Sequence, residues 1–509
     1  MRKVKFGSLA FVSICLSACG GGGDSAAPAA TTTTPPTTTT PTPTPPPPAV
    51  AVTFNPSSVA VTATSASDAP EATVTMVATN IPDSGIWIQR SQTNVGVASI
   101  TFASTASTAT YTIKFKVAGS LGPGTYTDTL TIGLCLDSAC ATTSGAPRNV
   151  SITYTVPTTA VIGTPPELSS RTALTHDVLD AEISVALNAM VMISSTPRNS
   201  LYVYDLATGA ERELVLGKPA RSLAISPDGQ SAAVGHDALI THVALPTVGQ
   251  ASPTVKLLNV TADLGDVVLT NDYVYGLPRI DQWVSVHSIR IATNVETKSG
   301  TGFFRAGSLG RVVPSGQYFY SADNGLSPGD FEKWDLRAGT ATRVSDSPYH
   351  GNYPICGNIW PSEDGTRLYT PCGATFRSTT DPTTDMTYAG SFDLSRSAND
   401  GPTTVISLSN SAEKKELMVV DGAPYQSSTC SSTTLYEVNC LSRLRYYDSE
   451  FLQLSASFTL PPLQIGSVSY PQRGLFVFHD GSGDGRYLIS RAVGTTDLAT
   501  SFYLSKVQR

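Results

Sequence analysis

The sequence predicts an all-β fold in two parts: a β-sandwich over residues 49–157, then a β-propeller of about seven blades over 166–509. Three observations predict it. Charged residues make up only 14% of the 509-residue chain, while it holds 41 Gly and 35 Pro. Such a chain favours strands and turns over helices. Short runs of alternating apolar and polar residues, separated by turn residues, fill 49–157, as half-buried strands do. Beyond residue 166 a turn followed by an apolar strand recurs to the end of the chain.

The first segment, 1–18, opens with Arg2, Lys3 and Lys5 and continues as an apolar run from Phe6 to Leu16. That is the charged and hydrophobic pattern of a secretory signal, too short for a permanent span. Leu16-Ser17-Ala18-Cys19 resembles the lipobox of bacterial lipoproteins. The resemblance implies cleavage before Cys19, lipid on its sulfur and attachment to a membrane through that lipid. Gly20, where inner-membrane retention would have aspartate, implies the outer membrane, on its periplasmic or its outer side. An ordinary signal peptide with Cys19 incidental is the competing reading. Loss of three basic residues takes the formal charge from −7 to −10, so a nucleic-acid partner is not expected.

Residues 19–48 follow as a tether, Gly20 to Gly23 and then a Thr/Pro tract from Thr31 to Pro48. Such a tract buries no core and favours extended backbone at ~3.1 Å per residue. It reads as a stalk.

In the sandwich, Val52–Phe54, Ala72–Val77, Tyr111–Val117 and Val150–Tyr154 read as strands. Pro123-Gly124-Thr125-Tyr126, leading into Leu130-Thr131-Ile132, resembles a strand of BACON-like and related immunoglobulin-like modules in bacterial envelope proteins. The resemblance implies an immunoglobulin-like sandwich. Trp87, between Ile86 and Ile88, is expected in or near its core rather than as a ligand platform. Apart from Cys15 and Cys19 there are six cysteines, in three close pairs: Cys135 with Cys140, Cys356 with Cys372, and Cys430 with Cys440. Pairing of neighbours as disulfides is expected in an oxidising compartment; a metal site is the weaker alternative.

Turn centres in the second part fall at 188, 228, 272, 316, 364, 414 and 484, with steps of 40, 44, 44, 48, 50 and 70 residues. That period suits four-stranded propeller blades. The clearest turns are Ser226-Pro227-Asp228-Gly229, Pro314-Ser315-Gly316 and Ser362-Glu363-Asp364-Gly365. A second element is a strand ending in Asp-Leu or similar: Leu201–Leu206, Lys333–Leu336, Ser391–Leu394 and Arg445–Asp448. Together these resemble YVTN and WD40-like blades, whose third strand ends this way. Seven blades are counted, with six or eight also compatible. An insertion near Tyr425–Leu441, clipped by Cys430 and Cys440, accounts for the long last step. Closure is expected between Ser501–Leu504 and a strand near Arg171–Val178, because it removes open sheet edges.

Catalytic signatures are scarce. No G-x-S-x-G, H-E-x-x-H or P-loop occurs, and the six histidines have no metal-like spacing. Asp480, Ser482 and Asp484 alternate with glycines as the start of a calcium loop does. No Glu closes it; Arg491 stands there. A Gly/Asp-rich turn is the competing reading, and calcium is the one cofactor suggested. By analogy with propellers, loops at the channel mouth would offer His176, Arg221, Arg305, Tyr349, His350 and Tyr353 as binding residues. The expectation is a stalked binding or scaffold module for an envelope protein or glycan. The alternative is a hydrolase, lactonase or lyase with channel-bound calcium, marked by three or more Asp, Glu or Asn side chains converging in the channel.

Overall fold

The computed structural model describes residues 49–159, 166–246, 253–300, 303–323, 325–395, 403–422, 441–495 and 501–509. The signal, Cys19 and the tether lie outside the described residues. So do Cys430 and Cys440. Of the three expected disulfides, the described residues therefore hold two, Cys135–Cys140 and Cys356–Cys372, and the pairing expected of Cys440 is not among them. More than half of the described residues are strand, and the one helical element among them is the single turn Ala118–Ser120. No helix among the described residues is long and apolar enough to cross a membrane.

The chain forms two compact units. The first draws on Ala69–Lys116, Thr125–Thr155 and the residues up to Thr62. It holds two four-stranded sheets. One has the order Ala51–Asn55, Glu71–Thr79, Thr108–Phe115, Val97–Ser104; the other runs Ser58–Thr62, Arg148–Val156, Gly124–Cys135, Trp87–Gln92. The sheets share a core: Val74, Met76, Tyr111 and Ile113 of the first and Leu130, Ile132, Ile152 and Tyr154 of the second are buried. Phe115 and Tyr154 meet across it, ring centroids 4.8 Å apart. Alternation of more and less buried positions along Thr108–Phe115 is the period-two pattern read in the sequence. Asp128 pins one edge. Its carboxylate accepts N–H groups of Val95, Gly96 and Val97 at 2.7–2.9 Å and the Thr93 hydroxyl at 2.8 Å. Trp87, half-buried, pairs opposite the disulfide-bonded Cys135 on the edge strand.

The second unit, mainly Val156–Arg509, is a β-propeller. Its described residues form five four-stranded antiparallel sheets and one seven-stranded sheet, in which two arrays share a strand. The first strands are Asp180–Ser184, Ser222–Ile225, the C-terminal half of Thr254–Leu269, Leu309–Val312, Trp360–Pro361, Thr404–Ser411 and Gln472–His479. The long strand Thr254–Leu269 bends at an irregularity near Leu264 and so serves two arrays. The last array is completed by the first strand of the unit, Glu167–Leu174, antiparallel to Phe502–Gln508 with Phe502 opposite Leu174. The expected closure is therefore present, its first partner strand lying at Glu167–Leu174 rather than Arg171–Val178.

The turn motif has a physical basis visible three times. Gly229, Gly316 and Gly365 sit at φ +71°, +69° and +71°, where a β-carbon would clash with the backbone. In two of these turns a serine hydroxyl donates to the aspartate two residues on, Ser226 to Asp228 at 2.6 Å and Ser362 to Asp364 at 2.5 Å. Three of the four Asp-Leu copies end third strands, as expected: Ser200–Asp205, Phe331–Asp335 and Arg443–Asp448. The fourth does not. Ser391–Leu394 follows the outer strand Tyr388–Ser391, because the third strand of that array, Ala374–Arg377, carries no Asp-Leu ending. There the backbone carbonyl of Asp393 accepts from the Tyr447 hydroxyl at 2.6 Å and from Arg445 at 3.1 Å.

Candidate functional site

All seven first strands line a single cavity of about 340 Å³, within the size range of small-ligand pockets. Charged groups stand in or beside it on three of them. Asp180 and Glu182, two apart on one strand, share a face, and both line the cavity. Asp266 and Arg311 come from the third and fourth arrays. The Arg311 guanidinium lines the cavity too and donates to Asp266 at 3.1 Å. Asn358, Asn410 and Ser409 contribute neutral polar groups, and Trp360, Phe476 and Phe478 supply aromatic wall.

Two of the carboxylates also do structural work. Asp180 accepts the backbone N–H of Leu223 at 2.9 Å, and Asp266 that of Gly310 at 2.8 Å. Each reaches from one first strand to the next, so both are fixed in place. Ser407 does the same further round, accepting from the Val477 N–H at 3.1 Å. Glu182 differs: among the described residues its carboxylate has no hydrogen-bond partner.

Burial dominates the electrostatics. It pushes Glu182 up to about 7; Arg311 opposes this, while Asp180 and Asp266 add to it. Burial likewise takes Asp180 up to about 6 against the pull of Arg311, and Asp266 is raised for the same reason. Burial disfavours the charged Arg311, but Asp266, Glu182 and Asp180 together outweigh it and hold the guanidinium above its ordinary range. Three carboxyls and one guanidinium thus share a confined space of lowered dielectric, where each charge acts strongly on its neighbours.

The residues expected at the channel mouth fare differently. His176 is wholly buried, stacked on Tyr202 at 3.7 Å, with Nε2 3.1 Å from Glu211 and Nδ1 2.7 Å from the Asp177 carbonyl. It is a packing residue rather than an exposed binding group. Arg221 is ion-paired with Asp263, which also takes Arg279 at 2.7 Å. Tyr349 and Tyr353 pack edge-to-face at 4.8 Å; Tyr353 stacks on Tyr388 at 4.0 Å, and the Tyr349 hydroxyl accepts the Tyr388 N–H. This aromatic cluster is part of the core around Phe376. His350 is exposed, 3.1 Å from Asp330. Asp330, Asp346 and His350 bring ligand-type atoms within 4.8 Å of one another. Arg305 lies in the short strand Phe304–Arg305, opposite Trp283.

The residues of the expected calcium loop are linked to one another in a turn. Oδ1 of Asp480 accepts both the N–H and the hydroxyl of Ser482, at 3.0 and 2.7 Å, and the Asp484 N–H donates to the Ser482 hydroxyl at 3.2 Å. Asp484 pairs with Lys414 at 3.0 Å. These contacts hold a hairpin turn together.

The convergence expected of an enzyme is met in part: three carboxyls do gather at the cavity, yet the cation among them is Arg311. Asp180, Glu182, Asp266 and Arg311 are all absent from the residues that the sequence singled out. Their signal was present, as charged residues within otherwise apolar first strands (Asp180-Ala181-Glu182-Ile183, Gly265-Asp266-Val267-Val268, Gly310-Arg311-Val312).

No family model matches the chain, and no curated protein is similar to it. Among solved structures it is similar to the β-propeller domain of Cps50 (Swd1) from Myceliophteria thermophila, at 12% identity and a TM-score of 0.47, over 67% of this chain and 99% of that one. It is also similar to hydrazine synthase from Kuenenia stuttgartiensis, at 12% identity and a TM-score of 0.43, over 63% of this chain and 94% of that one.

Proposed function

We propose that this chain is a binding module of the bacterial cell envelope, held by lipid on Cys19, whose seven-bladed propeller takes a cationic group of its ligand into the central cavity. The first unit is read as an immunoglobulin-like spacer between anchor and propeller. One observation carries the ligand reading: Glu182 sits in the cavity without a hydrogen-bond donor of its own among the described residues, beside two further carboxyls and near aromatic wall. Glu182 is half-buried, and a carboxylate confined without a donor is costly when charged. An ammonium group would relieve that cost, and the aromatic faces of Trp360 and Phe476 suit a cation. An amino sugar or a lysine side chain of an envelope partner has this chemistry.

The test is calorimetric titration of the full chain with small primary amines and amino sugars, neutral sugars serving as controls. Binding should strengthen as pH rises through about 7, where Glu182 ionises, and should be lost in Glu182→Gln at every pH. Binding indifferent to both the pH and the substitution would sink the reading. The anchor is tested separately, by incorporation of an alkyne-tagged fatty acid into the wild type but not into Cys19→Ser.

A second reading is favoured by the same carboxyls. Groups near 6 and 7 are placed to donate and accept protons at neutral pH, as in a hydrolase or lyase. Turnover with a pH profile bounded by those two values, abolished in Glu182→Gln, would select it over simple binding.

A further inference from the structure

Beside the third array two short connecting strands pair into a ribbon, Trp283–Val284 with Phe304–Arg305, whose two faces have opposite characters. Phe304 is wholly buried and meets Trp334 edge-on at 6.0 Å, and Val284 packs against the same core. Because side chains alternate along a strand, Trp283 and Arg305 share the other face, directly opposite one another in register. Phe303 borders that pair and Ile280 precedes Trp283 by three residues. Trp283 is 56% exposed, Phe303 52% and Ile280 52%. Backbone bonds hold the ribbon in place: Ala306 N–H donates to the Gln282 carbonyl, and Gly307 N–H to that of Pro278, each at 3.0 Å.

Large exposed aromatics clustered on a rigid support mark an interaction surface. What it meets is indicated by charge. Arg221 and Arg279, which precede Trp283 in the chain, are both engaged by Asp263. The Arg305 guanidinium, by contrast, has no hydrogen-bonded or ion-paired partner among the described residues, and Asp281, two positions before Trp283, does not pair with it. The surface thus offers an open indole face beside an unneutralised guanidinium.

We propose that this ribbon docks an anionic polysaccharide, with a sugar ring stacked on Trp283 and a uronic-acid carboxylate taken in bidentate fashion by Arg305. A pyranose presents an apolar C–H face that packs on an aromatic ring. A guanidinium fork matches a carboxylate in plane and charge, which an ammonium does not. The site is separate from the central cavity, so the two succeed or fail independently.

The experiment is calorimetric titration of the full chain with polygalacturonate, using dextran as the neutral control and phosphatidylglycerol vesicles as the lipid control. Polygalacturonate should bind saturably and more weakly as salt rises. Trp283→Ala and Arg305→Ala should each weaken binding about tenfold or more. Arg305→Lys should recover only part of the loss. All three variants should keep the wild-type unfolding cooperativity, a check that weakened binding is not unfolding. Unchanged affinity in the variants, equal binding of dextran, or binding to the vesicles without binding to polygalacturonate would each overturn the proposal.

Discussion

Replacing Glu182 by Gln should stabilise the propeller at pH 8 and leave it unchanged at pH 4. The side chain rises from an ordinary 4.5 to about 7 on folding, chiefly through burial. The native state therefore binds this proton more tightly than the unfolded chain does. Stability from the group is fully present below pH 4.5, falls as pH rises, and is gone above about 7. Gln mimics the protonated acid in size and charge, so the variant escapes the loss. At ~1.4 kcal/mol for each pKa unit, the difference reaches about 3 kcal/mol above pH 7. For a unit of this size that corresponds to roughly 4 °C in Tm. Thermal unfolding of both proteins, followed by near-ultraviolet circular dichroism from pH 4 to 9, reads it directly. The gap should open between pH 4.5 and 7 and then level off. A variant less stable than the wild type at pH 8 would refute the reasoning. It would mean that attraction to Arg311 outweighs burial and that Glu182 is ionised as a structural ion pair.

Other predictions follow from the same physics. Asp128→Ala should cost the sandwich about 2–4 kcal/mol, because three backbone N–H groups and a hydroxyl lose their acceptor; urea unfolding of the full chain should show an earlier transition. Burial opposes ionisation of Asp128, but its donors prevail and hold its pKa below the ordinary value. Its stabilisation is therefore present above about pH 4 and lost on acidification below it, a fall that Asp128→Ala should not share. Lys333 and Asp385 form a buried pair at 2.8 Å, so Lys333→Ala should cost about 3–5 kcal/mol by stranding the carboxylate. Lys333→Ala with Asp385→Ala should recover part of that in the same unfolding assay. Replacing Cys356 and Cys372 by Ser opens a loop of 16-residue separation and should cost about 3 kcal/mol, measurable as a matching loss on reduction of the wild type.

The architecture was legible because it rests on local rules. A turn that needs a left-handed residue calls for glycine, and Gly229, Gly316 and Gly365 announced three arrays before any packing was known. Closure was legible for a topological reason, since a ring leaves no free edge only if its ends share an array, as Phe502–Gln508 and Glu167–Leu174 do. The Ser391–Leu394 copy misled because an Asp-Leu pair terminates strands of any rank. Rank in an array is decided by pairing, which no short motif encodes.

The cavity was opaque for a different reason. Its four charged groups come from three strands, from Asp180 to Arg311 in the chain, and nothing local ties Asp266 to Glu182. Asp480–Asp484 stood out instead because polar residues lie close together there in sequence, and His176 because it falls in a loop between blades. His176 divides its ring nitrogens between the adjacent Asp177 carbonyl and Glu211, and Asp480 takes both donors of Ser482 two residues away, so these groups already have partners. Glu182 has no such neighbour. It lies on a regular strand with Asp266 and Arg311 arriving only through the ring, so it keeps an unsatisfied carboxylate. In a fold built from repeats, a charge at a first-strand position that the repeat otherwise fills with apolar residues is thus the better guide to a site than a polar cluster in a turn. Asp180, Glu182, Asp266 and Arg311 all meet that description, and an amine that binds to wild type but not to Glu182→Gln would establish the rule on this chain.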